Sequence, residues 1–213
     1  MDATWARRWH TLTAVVVVGA LLLQLVLVIA GDRALLDEEE PGLAIRLGRL
    51  VSYFTIQSNL LVAAGAITLA RDPARDGASW RVLRLAGLVG ITVTALVHFF
   101  LLRPLLDLHG WSFVCDKLLH MVVPALAVIG WAAFGPRPRV GGRVIVWALA
   151  WPVAWTVWTL AMGAATGWFP YPFLDFDDKG WASMLVVCGG ITALFLALFG
   201  VAWALDRRLR ARP

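Results

Sequence analysis

Tyr53-Phe54-Thr55-Ile56-Gln57-Ser58-Asn59-Leu60-Leu61 sets five hydrogen-bonding side chains inside an apolar run long enough to cross a membrane. Moving a hydroxyl or amide into hydrocarbon without a partner costs roughly 2–7 kcal/mol, depending on the reference state. Five such groups together act either as glue between helices or as a site. The residues around them decide which.

Of the 213 residues 60% are hydrophobic and 15% charged, and the mean hydropathy is +0.76. Soluble domains carry about 25% charge. Apolar runs of about 20 residues, the length that crosses a ~30 Å hydrocarbon core as helix, fall at roughly 9–30, 50–70, 82–105, 113–134, 144–163 and 181–205. The expected fold is one all-α domain over 1–213, an integral membrane bundle of six transmembrane helices. The first run is longer than the 7–15-residue core of a signal peptide, which favours a span over a cleaved leader.

A net charge of +5 and a pI near 10 would also suit nucleic acid. The basic residues, however, sit in short loops beside apolar runs, where they mark topology. Thirteen of the 19 Lys and Arg lie on the side of the N-terminus: Arg7 and Arg8, the 71–84 loop, the 137–143 loop and the tail from Arg207. The positive-inside rule then puts both termini in the cytoplasm. The acidic run Asp32, Asp37 and Glu38 to Glu40 reads as a solvated loop. Cys115 and Cys188 are too few for a disulfide framework.

Eight of the 12 tryptophans lie near predicted span ends, as an interfacial belt requires. Trp147, Trp151, Trp155 and Trp158 instead fall at i, i+4, i+8 and i+11 of the fifth run and predict one packing stripe. Pro124 predicts a kink in the fourth helix.

At a rise of about 1.5 Å per residue, Gln24, Thr55, His98, His120 and Cys188 fall in one layer, roughly 7–11 Å below the outer surface. Ser52, Thr55 and Asn59 share a helix face, with Ser58 beside it, while Gln57 points elsewhere. Asp116 and His120 stand at i and i+4, so the carboxylate can orient the imidazole. A Thr hydroxyl becomes a nucleophile when a neighbouring base takes its proton. Thr55 and His120 are therefore the candidate chemical pair. Asn59, Ser58 or Gln24 would donate to an oxyanion, and His98 would do so or bind a substrate carboxylate. Intramembrane Ser, Thr and Asn also serve merely to bond helices together.

Phe54-Thr55-Ile56-Gln57-Ser58-Asn59, Leu119-His120-Met121-Val122-Val123-Pro124 and Trp168-Phe169-Pro170-Tyr171-Pro172-Phe173-Leu174-Asp175, in a six-span frame, resemble the bacterial branch of the androgen-induced-gene family of membrane proteins. Animal members of that family hydrolyse fatty acid esters of hydroxy fatty acids with a membrane-embedded Thr and His. The resemblance implies those roles for Thr55 and His120, a lipid or fatty-acyl ester as substrate and a bacterial plasma membrane as location.

The leading expectation is an intramembrane hydrolase of lipid-like esters that needs no cofactor or metal and engages no nucleic acid. A lid of Trp168, Phe169, Tyr171 and Phe173 would cover its site. The alternatives are a haem-binding electron-transfer protein using His98 and His120, zinc held by His98, His120 and Asp116, or a transporter or scaffold without chemistry.

Overall fold

A computed structural model describes residues 3–31, 41–137 and 139–209. Its helices are α1 (Ala3–Ile29), α2 (Leu43–Ser52), α3 (Phe54–Arg71), α4 (Ala78–Val97), α5 (Gly110–Lys117), α6 (Val123–Phe134), α7 (Gly142–Thr166), α8 (Phe176–Lys179) and α9 (Trp181–Arg208), and no strand occurs among the described residues. Five helical stretches are long and apolar enough to cross a membrane: α1, 78–105, 110–134, α7 and α9. The pair α2 and α3 makes a sixth if counted together, but it is bent by 66°. The acidic run at 32–40 and the tail arginines Arg210 and Arg212 lie outside the described residues.

α3 and α4 form the centre. α3 packs on α1 and α4, and α4 also packs on α6, α7 and α9. α1, α7 and α9 leave large apolar side chains such as Val15, Val157 and Val186 on the outside, as helices facing lipid do. Gly90 of α4 permits one close approach, since a Cβ there would lie 2.7 Å from the Trp151 ring. Trp151 can therefore reach α3, where it stacks on Phe54 at 4.4 Å.

The straight second span expected over 50–70 is instead broken at Tyr53, whose backbone is extended (φ −66°, ψ 128°). Backbone groups freed inside hydrocarbon must find partners, and here side chains supply them. Gln57 Nε2 donates to the Val51 carbonyl at 3.1 Å and Trp155 Nε1 to the Ser52 carbonyl at 2.9 Å. Gln57 Oε1 accepts from Trp151 Nε1 at 3.0 Å. On the other side of the break the Thr55 N–H donates to Tyr171 Oη at 3.2 Å. The expected tryptophan stripe is thus divided, with Trp151 and Trp155 bracing the break and Trp147 and Trp158 exposed.

Pro124 acts through a wide turn. It has no N–H for the carbonyl of residue 120, and the chain forms a single π-helical turn over Leu118–Val122, closed by the Val123 N–H on the Leu118 carbonyl. A second π turn, His98–Leu102, precedes Pro104 in the same way. Both carry a histidine, and π turns recur at functional sites.

At the other end of the bundle a buried carboxylate is held by backbone N–H groups, with arginines nearby. Asp206 of α9 is fully buried and accepts from the N–H groups of Arg139 and Val140 at 2.7 and 2.9 Å. Arg84 donates to the carbonyls of Gly135 and Pro136.

Candidate active site

The break at Tyr53 makes Thr55 the second residue of α3, at a helix N-terminus rather than in mid-helix. Its Oγ1 lies 3.3 Å from His120 Nε2 and 3.3 Å from Tyr171 Oη. His120 is held by the π turn so that its Nδ1 stands 3.0 Å from the Asp116 backbone carbonyl and 3.0 Å from Asp116 Oδ1. A carbonyl and a carboxylate only accept. Nδ1 therefore carries the ring proton, and in the neutral ring the Nε2 lone pair faces the Thr55 hydroxyl. The Tyr171 O–H can donate in turn to Thr55 Oγ1.

Asp116 is buried and joins three cations or imidazoles. Its Oδ1 meets His120 and, at 3.1 Å, His98 Nε2, and its Oδ2 meets Lys117 Nζ at 2.7 Å. The His98 contact lies off the line of a hydrogen bond, and Nε2 has no hydrogen-bonding partner. The rings of His98 and His120 lie face to face, with centroids 3.8 Å apart and planes within 14°.

Two cavities meet at Thr55. One, of about 90 Å³, is lined by Gln24, Ser112, His98, Asp116 and His120. The other, of about 230 Å³, runs among α4, α7 and α9 and is lined mainly by apolar side chains, with Tyr171 and Phe173 on its wall.

The chain matches no family model, no curated protein and no solved structure.

Gln24, Thr55, His98 and His120 line one cavity together with Asp116. Asp116 is buried among them. Cys188 does not join them, since it lines the apolar cavity. Ser58 and Asn59 were expected as oxyanion donors, but their donors already have partners. Ser58 Oγ donates to the Phe54 carbonyl at 2.8 Å, and Asn59 Nδ2 donates to the carbonyls of Thr55 and Leu119 at 2.8 and 3.4 Å. Asn59 instead ties α3 to the turn that carries His120. Ser52 leaves the proposed face because the break at Tyr53 interrupts the helical spacing, and its hydroxyl donates to the Gly48 carbonyl.

The aromatic loop is more than a lid. Tyr171 is buried with its hydroxyl on Thr55, and Phe173 stacks on it at 5.4 Å. Trp168 packs edge-on to Tyr53 and under Arg49, while Phe169 fills the space left by Gly163. Burial pushes the Tyr171 phenol above its ordinary value of 10.0, so it remains a donor through neutral pH. The sequence signal for this role is the one phenol in the aromatic loop, held between Pro170 and Pro172.

No porphyrin fits between imidazoles stacked at 3.8 Å, which removes the haem arrangement. One donor atom from each of His98, Asp116 and His120 lies within 4.8 Å of the other two, a ligand set that suits zinc. Face-to-face rings, however, hold their in-plane lone pairs in two nearly parallel planes, and Lys117 already holds one carboxylate oxygen. An ion would require one ring to turn.

Proposed function

We propose that this chain is an intramembrane carboxylic ester hydrolase acting on lipid-like esters, of the kind found in the androgen-induced-gene family. We further propose that it lies in a bacterial plasma membrane with both termini cytoplasmic. The observation that carries the reading is the relay from Thr55 Oγ1 to His120 Nε2, with Nδ1 fixed by Asp116. It is the nucleophile, base and orienter arrangement of acyl transfer.

In this mechanism Thr55 Oγ1 attacks the ester carbonyl as its proton passes to His120 Nε2. The imidazolium formed is stabilised by Asp116 and returns that proton to the departing alcohol, leaving an acyl group on Thr55. Water then gives a proton to His120 and attacks the acyl carbon, and His120 passes that proton to Thr55 Oγ1 as its bond to the acyl carbon breaks and the acid leaves. The Thr55 N–H is engaged by Tyr171 Oη, and the Tyr171 O–H beside Thr55 Oγ1 is the donor that can turn to the developing oxyanion. A donor held in advance beside the reacting carbonyl stabilises an oxyanion, commonly by 10²–10³-fold in rate.

The test uses purified wild type, Thr55→Ala and His120→Ala with a fluorophosphonate probe and a panel of lipid esters. The wild type is expected to label and turn over, and each variant to lose labelling and at least about 10³-fold in turnover. Labelling and hydrolysis that survive in both variants overturn the mechanism.

A further inference from the structure

We infer that the cavity between α7 and α9 is a lateral portal that takes one acyl chain directly from the bilayer and presents its carbonyl end to Thr55. The binding site stands on geometry, while the statement that the carbonyl reacts rests on the hydrolase reading. α7 and α9 both pack on α4 but hardly on each other. The gap between them is the 230 Å³ cavity. Its rim consists of Val153, Thr156 and Val157 on α7 and Cys188, Ile191 and Thr192 on α9. Val153 and Val157 are 54% and 65% exposed, and Thr192 is exposed as well. The opening therefore faces outward from two helices apolar enough to lie in lipid.

Polarity inside the cavity identifies the occupant. Thr156 Oγ1 donates to the Pro152 carbonyl at 2.9 Å, Thr192 Oγ1 to the Cys188 carbonyl at 2.8 Å and Thr94 Oγ1 to Ser58 Oγ at 3.2 Å. Trp155 Nε1 is engaged by the Ser52 carbonyl. With those groups tied to backbone or to each other, the polar atoms left facing the cavity are Thr55 Oγ1 and Tyr171 Oη at its buried end, which hydrogen-bond each other and can exchange that bond for one to a ligand carbonyl. Such a tunnel, apolar along its walls with two hydroxyls at its base, fits an aliphatic chain ending in a carbonyl. It does not fit a sugar, a nucleotide or a second polar headgroup. The smaller cavity lined by His98, Asp116 and Gln24 lies on the far side of Thr55 and receives the polar alcohol half.

The experiment uses the full chain in lipid nanodiscs with a C16 fatty acid bearing a terminal diazirine. Crosslinks are expected to concentrate on the α7 and α9 rim peptides and to be displaced by excess unlabelled C16 acid. Labels spread evenly over the outer faces of all helices, or labels that resist displacement, overturn the portal. A second measurement compares kcat/KM for C16 and C4 acyl esters of one alcohol. Thr192→Trp is expected to lower the C16-to-C4 ratio about tenfold, the effect of losing roughly two buried methylenes, while Val186→Trp on the outer face of α9 leaves the ratio unchanged. An unaltered ratio in folded Thr192→Trp also overturns the portal. Turnover that persists in Thr55→Ala defeats the Thr55 mechanism alone, and a wild type without turnover defeats the hydrolase reading alone, because the crosslinking result does not depend on catalysis.

Discussion

Among the described residues two carboxylates are buried, Asp116 and Asp206, and they are neutralised by opposite means. Asp206 accepts from two backbone N–H groups, which cannot turn or titrate, with the always-charged guanidiniums of Arg84 and Arg137 near enough to interact with it, and it pins the start of α7 to the end of α9. Asp116 receives two imidazoles and an ammonium, each a side chain able to turn or exchange a proton, and it borders a cavity. The same cost of burying charge is met at one end by a structural staple and at the other by a set of proton-handling groups. Burial of an acid alone does not mark a site. The titratability of its partners and the space beside them do.

The contrast can be broken by substitution. Asp116→Asn keeps the shape but loses the charge that stabilises the His120 imidazolium, and ester turnover is expected to fall about 10³–10⁴-fold with a smaller change in Tm. Asp206→Ala should act the other way. It leaves two buried backbone donors unpaired, at a cost of about 2–4 kcal/mol, read as a lower Tm with turnover per folded molecule retained. If Asp206→Ala abolishes turnover without a change in Tm, the distinction fails. Tyr171→Phe removes the hydroxyl on Thr55 and is expected to lower turnover about 10²-fold. Because burial raises the phenol above 10.0, its contribution to stability is complete below pH 10 and declines as pH rises through the higher value of the folded state. Wild type should therefore lose more Tm than Tyr171→Phe when pH is taken above 10.

Asp76 sharpens the comparison from outside the membrane. Its carboxylate lies in a half-exposed pair with Arg81 at 2.6 Å, and the guanidinium holds it well below the usual carboxylate range of 3.8. That pair contributes above pH 3.8 and is lost as pH falls further. Solvent screens it, so Asp76→Asn should give the smallest Tm change of the series. A shift as large as that of Asp206→Ala would show that exposure had been misjudged.

Five of the six apolar helices, the pairing of Asp116 with His120 and the meeting of Gln24, Thr55, His98 and His120 around one cavity were legible in the sequence, because helical rise and i, i+4 spacing are local properties. The break at Tyr53 was not, since no Gly or Pro marks it. It exists because Trp151 and Trp155, about 100 positions away, come to meet the freed backbone and its brace. Tyr171 was placed in a lid for the same reason: nothing local says that its hydroxyl reaches Thr55. Ser58 and Asn59 misled because short polar side chains bond the backbone four residues back, which spacing cannot distinguish from facing a ligand. The wide turn at His120 lies between these cases, for Pro124 announced a distortion but not its form.

The break has one more consequence, for the lipid itself. α3 has 18 residues, roughly 27 Å of helix, whereas α1 and α9 have 27 and 28 and greatly exceed a ~30 Å hydrocarbon core. Long helices accommodate thickness by tilting, but a short one anchored at both ends cannot lengthen. The helix that carries Thr55 is thus the gauge of the bundle, and membranes much thicker than α3 would pull at the junction where the nucleophile begins.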